Sequence, residues 1–171
     1  AADGLERVVL VGGRLAAVYL HEAHARVALF ELDGRPVGEV ALPGIGSVIE
    51  TSGRQADEEL FLTFATFAAP SRILAVRIAD GVVREVGRRD LAWDPDDFVT
   101  RQIFVASADG TPIPLFLTHR RDVEPTGDVP TLLYGYGGFM IPTGPGFKAE
   151  FLAWMERGGL LAVAVLRGGG E

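Results

Sequence analysis

The feature that most constrains the fold is a repeated hairpin signal in the first half of the chain. Asp33-Gly34 and Asp80-Gly81 each separate two short apolar runs, and the two dipeptides lie 47 residues apart. Asp-Gly between such runs predicts a β-hairpin with a type I′ turn, because both central residues of that turn need φ above zero. Two further apolar runs, 47–51 and 59–67, lie between the two dipeptides. Four strands in this spacing are typical of a β-propeller blade, and an ordinary β-sandwich is the alternative.

The pattern changes after about residue 90. Trp93-Asp94-Pro95-Asp96-Asp97 predicts a turn or linker, because proline and clustered aspartates favour turns. Asp109-Gly110 then predicts a third hairpin, with strands over 100–106 and 113–119. A different domain is therefore expected to begin after this linker.

A strand–loop–helix–strand pattern fills the rest of the chain. We predict a short strand over 131–134, a loop over 135–146, a helix over 147–157 and a buried strand over 160–166. Gly158 is expected to end the helix. One face of that helix would carry four large apolar side chains, Phe147, Phe151, Trp154 and Met155. A hairpin followed by a βαβ unit fits the opening of an α/β-hydrolase sheet, although many α/β folds share it.

Composition excludes several classes of protein. The chain has 171 residues and a net charge of −7, which argues against nucleic acid as a partner because its binders usually carry a basic patch. The absence of cysteine excludes disulfides and cysteine–zinc sites, and leaves the cytoplasm and the periplasm equally open as compartments. The longest apolar run, 160–166, is far shorter than the roughly 20 residues of a membrane helix, so no membrane partner is expected. Because the chain opens with Ala-Ala rather than Met, we expect it to be a piece of a longer polypeptide.

The glycine-rich stretch Gly135–Met140 matches no phosphate-binding template. The dinucleotide fingerprint fails at its sixth position, and no Gly-Lys-Ser/Thr follows as in a P-loop. The stretch is instead flanked and interrupted by two phenols, Tyr134 and Tyr136. On a loop after a strand, a neutral tyrosine hydroxyl could donate a hydrogen bond to an oxyanion. The alternative is that both rings pack in a core with their hydroxyls satisfied.

Neither a metal site nor a nucleophile is recognisable. His21 and His24 are three residues apart, whereas a zincin needs the HExxH spacing, so both are predicted to lie at a solvated strand end. His119 has no partner in the sequence and is predicted to be structural or exposed. None of the serines has glycines at both −2 and +2, as a hydrolase nucleophile elbow requires.

Several stretches resemble the prolyl oligopeptidase family of serine peptidases. These are LLYGYGGF (132–139), GGLLAVAVLRGGGE (158–171) and QIFVASADGTPIPLFLTHRR (102–121), with VYLHEA, GSVIETSG and ELFLTFATFAAPSRI upstream. Gly138-Phe139 favours the prolyl branch over the oligopeptidase B type, which tends to have other residues at the end of this motif. The resemblance runs in order through nearly the whole chain.

The resemblance implies a seven-bladed β-propeller that caps an α/β-hydrolase domain. By this analogy residues 1–92 are the last propeller blades, 93–99 a linker, and 100–171 the opening of the peptidase domain. The catalytic serine, aspartate and histidine of such enzymes follow the RGGGE motif, so the isolated chain is expected to be inactive. It is also expected to need the rest of its own polypeptide to complete both sheets.

The resemblance also implies roles for single residues. Tyr136 would donate to the oxyanion, and Phe139 would line the pocket for the substrate proline. Gly135, Gly137 and Gly138 would shape the loop. Arg167 and Glu171 belong to a family signature, and a structural ion pair or loop anchor is predicted for them. The parent protein would cleave short proline-containing peptides without a cofactor, and a non-catalytic propeller or scaffold fragment is the alternative.

Overall fold

The computed structural model describes residues 3–87, 89–141 and 143–169. Within these ranges the chain forms three four-stranded sheets and one α-helix. It divides into two units, Ala1–Thr66 with Ser71–Asp90, and Phe67–Pro70 with Leu91–Glu171. Among the described residues, no helix is both long and apolar enough to cross a lipid bilayer.

The first unit contains two sheets of the same design. The first sheet is formed by β1 (Gly4–Val11), β2 (Arg14–His21), β3 (His24–Phe30) and β4 (Pro36–Glu39). The second is formed by β5 (Ser47–Ser52), β6 (Glu59–Ala65), β7 (Arg72–Arg77) and β8 (Val83–Val86). In both sheets the strands pair antiparallel in chain order. Asp33-Gly34 and Asp80-Gly81 join the third and fourth strand of their sheets, which confirms the predicted four-strand repeat.

The type I′ turns predicted at these two dipeptides are wrong. Gly34 and Gly81 have φ of 86° and 74°, but neither preceding aspartate has a positive φ. Each aspartate carboxylate instead accepts a hydrogen bond from the N–H two residues ahead, at 3.0 Å from Arg35 and 3.1 Å from Val82. This side-chain bond stabilises an aspartate in a right-handed turn, so only the glycine adopts the left-handed conformation.

Paired positive φ values occur at two other hairpins. Gly12 and Gly13 join β1 to β2 with φ of 58° and 73°. Glu22 and Ala23 join β2 to β3 with φ of 47° and 69°, although neither is glycine. A left-handed conformation is unfavourable for a residue with a Cβ, so the antiparallel pairing of His21 with His24 holds this turn.

Both sheets of the first unit contribute to one apolar core. Alternate side chains of the inner strands point into it, as the period of two along a strand requires. Leu60, Leu62 and Phe64 on β6 are fully buried, and each stabilises the unit by about 1.5–3 kcal/mol relative to exposure. The other buried members are Val11, Ala16, Val18, Val27, Leu29, Val40, Leu74, Val76 and Ile78.

The second unit contains a mixed sheet. Its elements are a 3₁₀ turn at Pro95–Asp97, β9 (Phe98–Ala106), β10 (Pro112–Arg120), β11 (Thr131–Tyr136), α1 (Ala149–Glu156) and β12 (Leu160–Val165). The strand order is β11-β12-β10-β9. β11 and β12 are parallel and α1 connects them, which confirms the predicted βαβ unit. On its other side β12 pairs antiparallel with β10, so the predicted buried strand lies in a mixed sheet rather than a purely parallel one.

The predicted helix boundaries are partly wrong. The helix was expected from residue 147, but it begins at Ala149, and Phe147 stacks on Trp93 with ring centroids 5.6 Å apart. Phe147 follows Pro145-Gly146, two residues that disfavour a helix, and its ring lies nearly parallel to the indole, with an interplanar angle of 5°. The predicted stop is confirmed. Gly158 has φ of 84° and its N–H donates to Met155, while the next N–H donates to Trp154, which is a Schellman arrangement.

Candidate functional site

Tyr136 is the last residue of β11, at the carboxyl end of the parallel pair. The predicted loop start at residue 135 is wrong, because the strand continues until Tyr136 pairs with Val165. Tyr134 and Tyr136 point to the same face of the sheet, since side chains alternate along a strand. Ligands of α/β sheets usually bind beyond the carboxyl ends of parallel strands, so Tyr136 stands where such a ligand is expected.

The two tyrosines have different surroundings. The Tyr134 ring packs edge-on against Phe151, with centroids 5.5 Å apart. Tyr136 is 40% exposed. Within the described part of the chain, neither hydroxyl has a hydrogen-bond partner, so these residues alone do not form a core that satisfies both hydroxyls. A free, half-exposed hydroxyl is available at Tyr136.

Two glycine-rich segments pack closely beyond the strand ends. A Cβ added at Gly137 would lie 2.7 Å from both the Arg167 carbonyl oxygen and the Leu166 Cβ. A Cβ added at Gly169 would lie 2.8 Å from the Ile141 carbonyl oxygen. The Met140 N–H donates to the carbonyl oxygen of Gly168 at 3.1 Å. Glycine is therefore required at these positions because the two backbones approach each other.

The three glycines predicted to shape the loop differ in their surroundings. Gly135 lies in β11, where a Cβ would be 3.0 Å from Leu166 Cδ1. Gly137 makes the close backbone approach described above. Gly138 has nothing within 4 Å of an added Cβ. Steric need for glycine is therefore greatest at Gly137.

Phe139 lies in a strained, exposed turn and does not line the cavity beside Tyr136. Phe139 and Met140 have φ of 56° and 55°, and the Ile141 N–H closes the turn on the Gly138 carbonyl oxygen at 3.1 Å. Their exposed fractions are 89% and 79%. The structure therefore does not bring Phe139 and Tyr136 into one cavity. Two apolar residues held in the left-handed region and exposed to solvent mark this turn as a candidate contact surface.

A cavity of about 230 Å³ lies beside Tyr136 on the helix side of the sheet. Its wall combines aromatic rings with the single lysine of the chain, Lys148, whose Nζ lies 4.2 Å from the Tyr134 ring centroid. The lining residues are Phe67, Tyr134, Tyr136, Ile141, Thr143, Gly144, Gly146, Phe147, Lys148, Phe151 and Val163. Motif matching did not single out Lys148, and its rarity in the composition was the only available signal.

Arg167 forms the predicted structural ion pair. Its Nη1 lies 2.6 Å from Asp109 Oδ2 in the β9–β10 turn, and its Nη2 donates to Ser107 Oγ at 3.1 Å. The Arg167 hydrogen bond is the main cause that lowers the pKa of Asp109 to about 2. Glu171, the other signature residue, lies outside the described residues.

His21 and His24 lie at the predicted strand ends, and His21 is 40% exposed. His21 Nδ1 lies 2.6 Å from Asp3 Oδ1, and this contact is the main cause that lowers the pKa of Asp3. The His24 ring lies edge-on to His21 at 5.5 Å, and burial lowers the pKa of His24. His119 is buried, with Nδ1 2.8 Å from the Arg120 carbonyl oxygen, as a structural residue would be. No group of three acidic or histidine ligands able to hold a metal occurs among the described residues.

These features define a class of protein. Two antiparallel four-stranded meanders with one shared core are the design of consecutive propeller blades. The family model described as "Prolyl oligopeptidase, N-terminal beta-propeller domain" matches residues 1–88. The chain belongs to the prolyl oligopeptidase family, whose members include prolyl endopeptidases of the serine peptidase class.

Comparison with individual relatives extends over almost the whole chain. This chain is 34% identical over 165 residues to the prolyl endopeptidase of Elizabethkingia miricola. The aligned region covers 96% of this chain and 23% of that relative. A solved structure from a structural and mechanistic analysis of two prolyl endopeptidases is 45% identical, with a TM-score of 0.91 over 98% of this chain and 24% of that one. Prolyl oligopeptidase B from Galerina marginata, solved with a 25mer macrocyclization substrate, is 26% identical, with a TM-score of 0.84 over 98% and 24% of the two chains. The chain thus spans about a quarter of the length of these relatives.

Proposed function

We propose that this chain is part of a serine-type endopeptidase that cleaves short peptides on the carboxyl side of proline by acyl transfer. The single observation that carries the proposal is the Tyr136 hydroxyl at the carboxyl end of β11, which has no hydrogen-bond partner among the described residues, in a chain that belongs to the prolyl oligopeptidase family. Peptides are the ligands of a relative, Prolyl oligopeptidase B from Galerina marginata, which was solved with a 25mer substrate.

The finer division of the fold is part of the same proposal. Residues 1–92 are assigned to blades of a seven-bladed propeller, 93–99 to a linker, and 100–171 to the opening of an α/β-hydrolase domain. The parallel β11–β12 pair joined by α1, with an antiparallel hairpin before it, supports the hydrolase assignment.

In this proposal Tyr136 donates its hydroxyl hydrogen to the oxyanion that forms when a serine attacks the peptide carbonyl. The serine and its partners are assigned to the rest of the polypeptide. A phenol O–H is a hydrogen-bond donor that can point at the oxyanion as the negative charge develops. One preorganised donor of this kind stabilises the transition state by roughly 3–4 kcal/mol, because it needs no reorganisation when charge develops.

The Tyr136 role is tested by Tyr136→Phe in the full-length protein, assayed on a proline peptide with a chromogenic leaving group. We expect kcat to fall about 10²- to 10³-fold with KM changed little. Tyr134→Phe is the matched control, because it removes a hydroxyl two residues away on the same face and should change kcat by only a few-fold. Equal losses in the two variants would remove the special role of Tyr136.

Phe139 is proposed to form one wall of the proline pocket. Its ring is almost fully exposed within this chain, so it is free to contact either substrate or other parts of the polypeptide. Phe139→Ala should lower kcat/KM for proline peptides relative to alanine peptides about tenfold, while the melting temperature stays within a few degrees. Met140→Ala shares the exposure and the left-handed turn, and should leave the proline preference intact. A stable protein with unchanged preference in Phe139→Ala contradicts the pocket role.

A further inference from the structure

Among the residues that the structure describes, Lys148 is a cation without an acidic partner. The chain has 23 acidic residues against 16 basic ones, and Lys148 is its only lysine. Among the described residues, no carboxylate oxygen lies within the 4.0 Å ion-pair distance of its Nζ, whereas nine arginines do form such pairs. The charge of Lys148 is therefore not neutralised by any carboxylate among the described residues.

The ammonium of Lys148 is held at the cavity wall by aromatic rings. Its Nζ lies 4.2 Å from the Tyr134 ring centroid and 4.9 Å from that of Phe151. These cation–π contacts orient the ammonium without neutralising its charge. An ammonium has three N–H donors, and ring contact on one side leaves donors on the other side for a ligand.

The cavity places this charge near the candidate oxyanion donor. Tyr134 and Tyr136 both line it, and their hydroxyls lack partners among the described residues. The hydroxyl of Thr143 is already used, because it donates to the Tyr136 carbonyl oxygen at 2.9 Å. The wall thus offers one positive charge, the Tyr134 phenol and several apolar rings, which is suited to a small anionic group attached to an apolar body.

We propose that this cavity is a subsite for an acidic side chain of the peptide substrate, with Lys148 as its counter-ion. The inference rests on the proposed peptidase function, since a peptide has no common anionic group other than an acidic side chain or its carboxyl terminus. Lys148 is a specificity-determining residue in this scheme: it binds substrate and takes no part in bond breaking. Acidic peptides are therefore preferred over neutral ones of the same shape.

The test compares matched peptide substrates in the full-length protein. Each pair is identical except for Glu or Gln, placed either just before the proline or just after the cleaved bond. For at least one position, kcat/KM should favour Glu about fivefold through KM, the size expected for one partly exposed ion pair. Lys148→Met should bring the Glu/Gln ratio of kcat/KM to about one, and Lys148→Arg should restore the preference for Glu. Arg101→Gln removes an exposed cation on β9 outside the cavity, so its Glu/Gln ratio of kcat/KM should equal that of the unsubstituted full-length protein.

The outcomes separate this inference from the proposed function. A Glu/Gln ratio near one at both positions, or a preference that survives in Lys148→Met, overturns the subsite while proline cleavage continues. If no proline peptide is cleaved, the proposed function fails, and the subsite is judged by fluorescence anisotropy with the labelled Glu and Gln peptides. Tighter binding of the Glu peptide that Lys148→Met abolishes then supports the subsite, and equal binding overturns it.

Discussion

The close approach of the two glycine-rich segments makes Gly137→Ala a sharp test of the site geometry. The new Cβ would lie 2.7 Å from the Arg167 carbonyl oxygen, and ordinary contact begins at 3.4 Å. Because that oxygen belongs to the backbone, the two segments must separate by about 0.7 Å. Overpacking of this kind typically costs about 1–3 kcal/mol. The hydrogen bond from the Met140 N–H to Gly168 spans the same gap and should weaken with it.

Hydrogen exchange of the 137–141 segment in the full-length protein measures this effect. A cost of about 1–3 kcal/mol in local opening corresponds to exchange roughly 5- to 150-fold faster. Gly138→Ala is the matched control, because nothing lies within 4 Å of its added Cβ and its φ is not in the left-handed region. The amide exchange rates of the 137–141 segment in Gly138→Ala should stay within about twofold of those in the unsubstituted full-length protein. Equal exchange rates in the two variants would refute the argument that backbone contact at Gly137 holds the segments together.

Three further perturbations have defined outcomes. Because the pKa of Asp109 lies below its ordinary value of 3.8, its ion pair with Arg167 should persist above pH 4 and be lost as the pH falls through about 2. Carboxyl ¹³C NMR of Asp109 should give that midpoint. An unchanged midpoint in Arg167→Gln would contradict Arg167 as the cause of the lowered pKa. Phe64→Ala empties a fully buried position and should destabilise the first unit by about 3–5 kcal/mol in denaturant unfolding, whereas Phe61→Ala on the opposite face of the same strand should cost less. Gly158 has a φ of 84°, and no described atom lies within 4 Å of an added Cβ. Gly158→Ala should therefore destabilise the protein by about 1–2 kcal/mol through backbone strain alone, which a lower melting temperature would show. An unchanged melting temperature would mean that the helix end rearranges.

Elements with a local signal were predictable from the sequence. The Asp-Gly repeat placed the third hairpin of each sheet, and the apolar runs 47–51 and 59–67 placed β5 and β6. The helix stop at Gly158 followed from the need for a left-handed residue after the last turn. In these cases the interactions that form the element lie within a few residues of the signal, so a short window contains the necessary information.

Part of the site was predictable in the same way. The YGYGGF stretch drew attention to Tyr136 and its glycines because the motif is contiguous. Lys148 was missed, because its significance depends on two rings and a cavity that come together only when α1 packs on the sheet. The close approach at Gly137 likewise depends on Leu166 and Arg167, which lie about 30 residues further along the chain.

The sequence by itself determined the strand repeat, the change of pattern after the first two sheets, and the βαβ order. Tertiary structure decided the conformation of the aspartate turns, the extension of β11 to Tyr136, and the position of Phe147 outside the helix. Those features depend on partners distant in the chain: Val165 continues the ladder beside Tyr136, and Trp93 provides the ring on which Phe147 stacks. Local propensity selects the elements, but hydrogen bonds and packing between distant segments set their ends and bring the side chains of the site together.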